Sequence, residues 1–438
     1  MPSSPKLSLG RREPDVVGLD IQPGLVAAVQ ARVNGAFLAE RAVAMRLPAP
    51  TVREGDVVDA AELSDSLRKL FHGSRLGKRV RVGVANQRTV MRTLELPPMT
   101  DGKELAAAVR FQAQDQVPMP LANAVLDFHP LGVVDTPAGP RQKVVLVAAQ
   151  RDMVERLLTA VRAAGLTPVG VDMAAFALIR SLYRGDADHN GRVLYLNVDG
   201  LTNVAIAEGT ECRFTRVLGG GIEEMISELA ERREIPLDHA RGLVADVDLS
   251  AEPPPPAAPT AAAAEPLEVR QEEPVKFEPE AAPGHEGEEN VQSDELADAS
   301  AGEEPELSYA QEAQLPAPHE PMPAHEEAML AVDSAPADER SAAEEARAVV
   351  ENGVRAIAGE VRNSLDFHRS QEGGAEVERV VLSGSALELS GFAEALQAAL
   401  GVEVHPETVG VLDSSQLRGI TAHRLAVATG LSCGEVRQ

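Results

Sequence analysis

The stretch GLDIQPGLVAAVQ, residues 18–30, predicts two antiparallel β-strands joined by a tight turn. Its two apolar runs are separated by Pro23-Gly24, a common pair in turns. The pattern predicts strands at 15–21, 25–33 and 36–44 and a helix at 60–72. The same order returns near 193–218, where VLYLNVDG, NVAIAEG and CRFTRVL precede three glycines and the helical pattern IEEMISELAERR. We therefore expect an α/β fold with an internal duplication.

The composition is that of a folded chain with aliphatic cores. Of its 438 residues 44% are hydrophobic, which suffices for two or three domains, although tryptophan is absent and aromatic residues make up only 3%. The cysteines Cys212 and Cys433 stand alone, which is typical of a reducing compartment and unlike a disulfide framework or a zinc site. We expect no membrane span, because no run of about 18 apolar residues occurs. The formal charge of −27 argues against binding of nucleic acid.

Most of this negative charge lies in one segment. Residues 251–340 begin AEPPPPAAPTAAAAEP and contain 23 acidic residues, 3 basic residues and 15 prolines. Such a composition cannot bury enough apolar surface to offset the entropy of ordering, so we predict a long disordered acidic insert. A short disordered tail is predicted at 1–13. The helical pattern at 344–369 and the strand–turn–helix–strand pattern after it indicate that the fold resumes beyond the insert.

A further unit separates the two repeats, and we interpret residues 80–171 as an inserted domain. Its strands are VRVGVANQ, TVMRTLELP, VLDFHPLGV, KVVLVAAQ and TPVGVD, and its helices are ELAAAVRFQAQDQ and RDMVERLLTAVRAAG. Gly165 is a typical helix stop. The element order predicts a compact β-α-β-β-α-β unit, after which the helical pattern at 171–183 returns the chain to the first repeat.

Three stretches resemble the family of the type IV pilus assembly protein PilM, within the actin and heat-shock ATPase superfamily. They are LELPPMTDGKELAAAVRFQAQDQVPMPLANAVLDFHPL at 94–131, FTRVLGGGIEEMISEL at 214–229, and VRNSLDFHRS with VERVVLSGSALELSGFAEALQAALGVEVHP nearer the C-terminus. The resemblance implies an actin-like two-lobe α/β fold with duplicated sheet-and-helix subdomains and an inserted small α+β domain of the SHS2 type. The expected parts are a first lobe at 14–79 and 172–190, the inserted domain at 80–171, a second lobe at 191–250 and 341–438, and the insert at 251–340.

The resemblance also implies a function. Members of this family are cytoplasmic, ATP-binding scaffolds beneath the pilus, and they are not strong ATPases. They bind the cytoplasmic N-terminal peptide of the membrane protein PilN in a groove by the inserted domain and the first lobe. The chain is therefore expected at the inner face of the cell membrane, attached through a PilN-like partner and not inserted directly.

The first loop keeps part of the chemistry that a nucleotide needs. Phosphate is held by N–H groups of tight turns, and Mg²⁺ is held by carboxylates. The family's loop reads roughly D-I-G-S-S-S-V-K, and here Asp20 matches while Gln22 replaces the glycine. Pro23 removes an N–H donor, and Leu25 stands where a hydroxyl is common. Asp20 is the candidate ligand for Mg²⁺; the alternative is that it only ends a strand.

The remaining loops show a similar mixture of matches and losses. Asn197 replaces the second carboxylate, for which Asp199 is a substitute, and Arg241 stands where a glutamate is expected to contact ribose. The three glycines before the helix are expected to face the nucleotide, because a helix N-terminus favours anions. The candidate nucleotide-binding residues are Asp20, Gln22, Gly24, Asp199, Gly200, Thr202, Asn203, Gly219, Gly220, Gly221, Ser383, Gly384 and Ser385.

These departures indicate a nucleotide pocket that is formed but degraded, with ATP and Mg²⁺ as optional ligands and little or no hydrolysis. Two alternatives remain open: an FtsA-like division or cytoskeletal protein, and an ATP-dependent kinase of the same fold. A kinase would need a substrate cleft and a catalytic acid. FtsA-like proteins usually end in an amphipathic membrane helix, whereas LAVATGL near the end of this chain predicts a core helix. An exposed strand of the inserted domain could pair with a second copy, which would allow self-association.

Overall fold

The computed structural model describes residues 16–34, 36–185, 191–251, 324–371 and 374–433. The predicted tail at 1–13 and residues 252–323 of the predicted insert lie outside this part. The described strands are β1 (Val17–Gln22), β2 (Leu25–Asn34), β3 (Ala36–Arg46), β4 (Val52–Arg53), β5 (Asp56–Val57), β6 (Arg79–Val84), β7 (Val90–Leu96), β8 (Ala124–Thr136), β9 (Gly139–Gln150), β10 (Thr167–Met173), β11 (Arg192–Val198), β12 (Thr202–Glu208), β13 (Glu211–Leu218), β14 (Val377–Ser383), β15 (Val404–Pro406), β16 (Gly410–Val411) and β17 (Leu417–Arg418).

The described helices are α1 (Ala60–Phe71), α2 (Gly102–Gln116), α3 (Arg151–Ala163), α4 (Ala174–Leu182), α5 (Ile222–Arg233), α6 (Leu237–Ala245), α7 (Ala324–Ser370), α8 (Phe392–Leu400) and α9 (Ala426–Ser432). Helix α7 begins inside the range that the composition assigned to the insert. The chain divides into two units, residues 1–252 with 334–438 and residues 253–333. The fold described below is that of the first unit. No described helix has the length and apolar character that crossing a membrane requires.

Two sheets with the same strand order confirm the predicted duplication. The first runs β10-β6-β1-β2-β3, and the second runs β15-β14-β11-β12-β13. In each, three consecutive strands form an antiparallel meander, and two later strands add in parallel beside the first strand of that meander. Every residue of β1 is buried, which fits a strand covered on both faces.

Helices α4 and α9 contact each other and join the two sheets through one apolar core. Leu178 of α4 and Leu431 of α9 pack there with Val29 of the first sheet and Ala205 of the second. All residues of α9 are buried, so the predicted core helix at LAVATGL is confirmed. The second sheet carries a further core beneath α5, α7 and α8. The apolar stripe predicted for α7 lies in it, and all of its members are buried: Val349, Val350, Val354, Ile357, Val361 and Leu365.

The inserted domain is smaller than predicted. Its three-stranded sheet has the order β7-β9-β8, and Leu105, Val109 and Ala113 of α2 pack on it. The predicted range 80–171 also included β6, α3 and β10, and the structure places these three elements in the first lobe. Strands β6 and β10 are hydrogen-bonded into the first sheet, and α3 packs against α1 in the same core. Burial of apolar surface against α1 therefore fixes the position of α3.

The C-terminal segment also crosses between the lobes. The predicted second lobe included all residues from 341 to 438, but β16 and β17 pair in parallel with β3 of the first sheet. The remaining domain boundaries stay predictions. Strands β7 and β8 are both outer strands of the inserted sheet, so self-association by strand addition also stays a prediction.

Candidate functional site

The first loop, between β1 and β2, is a turn of only two residues. Pro23 and Gly24 form it, with Gly24 at φ 75°, and Gln22 pairs with Leu25 across the strand ends. Proline followed by a left-handed glycine is the preference of a type II turn. Because Pro23 has no N–H group, the turn offers an anion only the N–H of Gly24. A loop that cradles phosphate uses several such donors.

Asp20 lies on β1, two residues before this turn, and its side chain is buried. Nε2 of Gln22 donates a hydrogen bond to Oδ2 of Asp20 at 2.8 Å. Burial raises the pKa of Asp20 from its ordinary 3.8 to about 7; the hydrogen bond from Gln22 opposes this shift, and the charge of Asp199 adds to it. At neutral pH the carboxyl group is therefore partly protonated, which weakens it as a ligand for Mg²⁺. Its role in binding a metal ion stays a prediction.

The second loop, Asp199-Gly200-Leu201, joins β11 to β12. Oδ1 of the buried Asp199 accepts a hydrogen bond from the N–H of Ser385 at 3.0 Å, and Nε of Arg424 lies 3.9 Å from the same oxygen. Burial raises the pKa of Asp199, while Arg424 and Ser385 oppose the rise. Asp199 and Asp20 line one small cavity, so the fold brings together the two carboxylates singled out from the sequence.

The last loop, Ser383-Gly384-Ser385, forms hydrogen bonds with neighbouring segments of the protein. Oγ of Ser383 donates to Oδ1 of Asn197 at 2.9 Å, and the N–H of Ser385 binds Asp199 as described above. Nδ2 of Asn197 lies 3.5 Å from Oδ2 of Asp199. Gly384 has a φ of 101° and packs against the main chain at the end of β11. Through these hydrogen bonds, the last loop connects β14 to the second loop.

Two further predicted residues, Thr202 and Asn203, are buried at the start of β12. Oγ1 of Thr202 donates to the carbonyl oxygen of Gly220 at 2.5 Å. Both polar atoms of the Asn203 amide lack a hydrogen-bond partner among the described residues. Neither residue lines the small cavity, so their predicted contact with a nucleotide is untested.

The three glycines before α5 lie beside a different cavity from the one at Asp20. That cavity measures about 660 Å³ and is lined by residues of β13, α5 and α7. A Cβ on Gly221 would lie 2.2 Å from the carbonyl oxygen of Asp199, so this glycine allows a close contact with the second loop. The same carbonyl accepts the N–H of Ile222, at the start of α5, at 2.8 Å. That N–H of the helix is therefore already bound to protein.

A cleft of about 470 Å³ adjoins the small cavity and shares Ser385, Glu223 and Arg424 with it. The small cavity has a volume of about 10 Å³, close to the room that one water molecule takes. The cleft lies in the size range of small-molecule sites and is also lined by Gly24. The predicted residues in the small cavity are Asp20, Gln22, Asp199, Gly200 and Ser385.

Two ion pairs in the cleft were missed by the sequence analysis. Nη2 of Arg241 lies 2.7 Å from Oε2 of Glu223, and Nε of Arg424 lies 3.1 Å from Oε1 of Glu388. Only Arg241 had been noted, as the residue replacing an expected glutamate. The pairs form only where α5, α6 and the C-terminal segment meet, and none of these segments carries a local motif for them.

The Arg241–Glu223 pair should stabilise the folded protein modestly. Both side chains are about four-fifths buried, so we expect a coupling free energy of about 1 kcal/mol in a double-mutant cycle with Arg241→Met and Glu223→Gln. Urea unfolding followed by circular dichroism measures it. The matched pair Arg369–Asp366, 3.2 Å apart on α7 but at least half exposed, should give about zero. Equal couplings for the two pairs would contradict the role of burial.

The matched sheets, with loops that bring a buried aspartate from each lobe into one cavity, define the actin-like ATPase fold. The structure is similar to a PilM–PilN type IV pilus biogenesis complex, at 21% identity and a TM-score of 0.61 over 96% of this chain and 98% of that one. A family model for the type IV pilus assembly protein PilM matches residues 18–242, more than half of the chain. The chain therefore belongs to the PilM family.

Weaker likenesses extend to other proteins. The ethanolamine utilization protein EutJ from Carboxydothermus hydrogenoformans is 14% identical, with a TM-score of 0.46 over 96% of this chain and 90% of that one. MreB5 of Spiroplasma citri bound to ADP is 10% identical, with a TM-score of 0.44 over 95% and 94%.

Proposed function

We propose that this chain is a scaffold of type IV pilus assembly that binds the cytoplasmic N-terminal peptide of a PilN-like membrane protein. Membership of the PilM family carries this proposal, and the similar solved structure is that of a PilM–PilN complex. Through that partner the chain would sit at the cytoplasmic face of the cell membrane.

The free edge of the first sheet is the surface that we propose for the peptide. Strand β10 is the outermost strand there, and it follows the inserted domain in the chain after helix α3. Val169 and Val171 on β10 are each more than one-third exposed, which is unusual for valines in a sheet. An extended peptide can add to such an edge through main-chain hydrogen bonds while its apolar side chains cover the valines.

A charged residue in place of one of these valines should show whether the peptide binds at this edge or at another exposed surface. We expect Val171→Lys to weaken binding of a synthetic PilN-like N-terminal peptide by about tenfold or more, measured by calorimetry. The control is Val58→Lys, because Val58 is also exposed but lies outside β10. Equal affinities for the two variants would contradict the proposed surface. Failure of the wild-type chain to bind the peptide would contradict the scaffold function itself.

We further propose that the nucleotide site is degraded and that the chain is not a strong ATPase. Several features support this: the cavity between Asp20 and Asp199 holds about one water, and Pro23 removes a donor from the first loop. The adjoining cleft has room for a base and ribose, but its charges are already paired within the protein. The fold would then serve chiefly to present a binding surface.

A further inference from the structure

Gln22 connects the two lobes through both halves of its side-chain amide. The residue ends β1 and is 5% exposed. Its Nε2 donates to Oδ2 of Asp20 in the first lobe at 2.8 Å. Its Oε1 accepts from the main-chain N–H of Leu201 in the second lobe at 3.4 Å. A single neutral side chain thus satisfies a buried carboxyl group and a loop N–H that belong to opposite lobes.

These two partners are the groups that a nucleotide with its metal ion would need. A carboxylate attracts a cation, and the N–H groups of such a loop attract the oxygens of a phosphate. The amide of Gln22 meets both requirements from within the chain, because its NH₂ group is a donor and its carbonyl is an acceptor. We propose that Gln22 is the specificity-determining residue of the cleft: its side chain fills the space between the two loops, where it is hydrogen-bonded to both, and thereby excludes a polyphosphate with Mg²⁺.

The two loops also lie close together beside Gln22. A Cβ on Gly200 would lie 2.4 Å from the carbonyl oxygen of Pro23, so the two loops touch directly. The cavity that remains beside Gln22 has a volume of about 10 Å³, whereas the cleft next to it measures about 470 Å³. Gln22 therefore excludes only the phosphate end of a nucleotide from the site. This inference deepens the proposed function, on which it rests for the place of the nucleotide site.

Restoring the glycine of the resembled loop tests the inference. The full chain, Gln22→Gly and Gln22→Met are titrated with a fluorescent ATP analogue, with and without Mg²⁺. Gln22→Met keeps the volume of the side chain but removes both hydrogen bonds, so it should bind no better than wild type. We expect Gln22→Gly to bind at least about tenfold more tightly, and only with Mg²⁺. A folded Gln22→Gly that binds no better than Gln22→Met overturns the proposal, as does equally tight binding by wild type.

A second measurement does not depend on the stability of the glycine variant. Hydrogen exchange of peptides that contain Leu201 should be faster in Gln22→Met than in wild type, because the bridge to the second lobe is lost. Unchanged exchange there contradicts the bridge. Binding of the PilN-like peptide is measured on the same samples. If wild type does not bind the peptide, only the scaffold function is contradicted. The nucleotide titration and the exchange rates test the proposed role of Gln22 separately.

Discussion

Alanine in place of Gly384 should lower the free energy of unfolding by about 4 kcal/mol. The residue has a φ of 101°, and a Cβ there would lie 2.3 Å from the carbonyl oxygen of Val198. Val198 ends β11, the central strand of the second sheet, so its main chain cannot turn aside as a flexible side chain would. The variant therefore adds a steric overlap to the strain of a left-handed backbone. Urea unfolding followed by circular dichroism measures the loss, since the chain has no tryptophan.

Gly139 provides the matched control because it has nearly the same backbone conformation without the contact. Its φ is 103°, and nothing lies within 4 Å of the position of a Cβ. Alanine there should cost only the backbone strain, about 1 to 2 kcal/mol. The difference between the two variants then measures the close approach of the last loop to β11. Equal losses would show that this approach is not a constraint on the fold.

The duplicated sheets could be predicted because their pattern is local. Each repeat contains three apolar strand patterns, separated by turn residues, within about 30 consecutive positions. The antiparallel meanders follow from that spacing, since neighbouring strands joined by short turns usually pair. The parallel strands β6 and β14 complete the sheets at the places that the duplication implies.

The domain boundaries could not be predicted in the same way, because the local sequence of a strand does not determine which other strand it pairs with. The strand at 79–84 is followed after five residues by β7, yet it pairs with β1, about 60 positions earlier in the chain. Helix α3 likewise follows β9 directly but packs on α1. Local patterns identified these elements correctly but assigned them to the inserted domain instead of the first lobe, since long-range burial decides where they lie.

The candidate site, too, could be predicted only in part from the sequence. The sequence singled out Asp20, Asp199 and Ser385, and the fold brings them into one cavity. It also indicated that Gln22 and Pro23 disturb the first loop. The second contact of Gln22, across to Leu201, depends on how closely the lobes approach and could not be inferred from either loop alone. The three glycines line another cavity, and Gly221 contacts the second loop, so their contact with a nucleotide stays a prediction.

The carboxyl group of Asp20 should destabilise the protein increasingly as the pH rises. Its pKa is raised by burial to about 7 in the folded chain against an ordinary 3.8, so the folded state holds a proton that the unfolded state has released. The contribution of the group to stability is therefore fully present below about pH 4 and is lost as the pH rises through about 7. Asp20→Asn is neutral at every pH and keeps an oxygen that can accept from Nε2 of Gln22.

We expect Asp20→Asn and wild type to be about equally stable near pH 4 and the variant to be more stable near pH 8, by on the order of 3 kcal/mol. Urea unfolding across this pH range measures the difference. Asp115→Asn is the control, because Asp115 is exposed on α2; its effect should stay within about 0.5 kcal/mol throughout. A variant less stable than wild type near pH 8 would mean that Asp20 is ionised and compensated by a partner, and its cavity would then suit a cation. A gain confined to high pH would instead mean that burial raises the pKa of Asp20 and that nothing in the site compensates the charge of the ionised carboxylate.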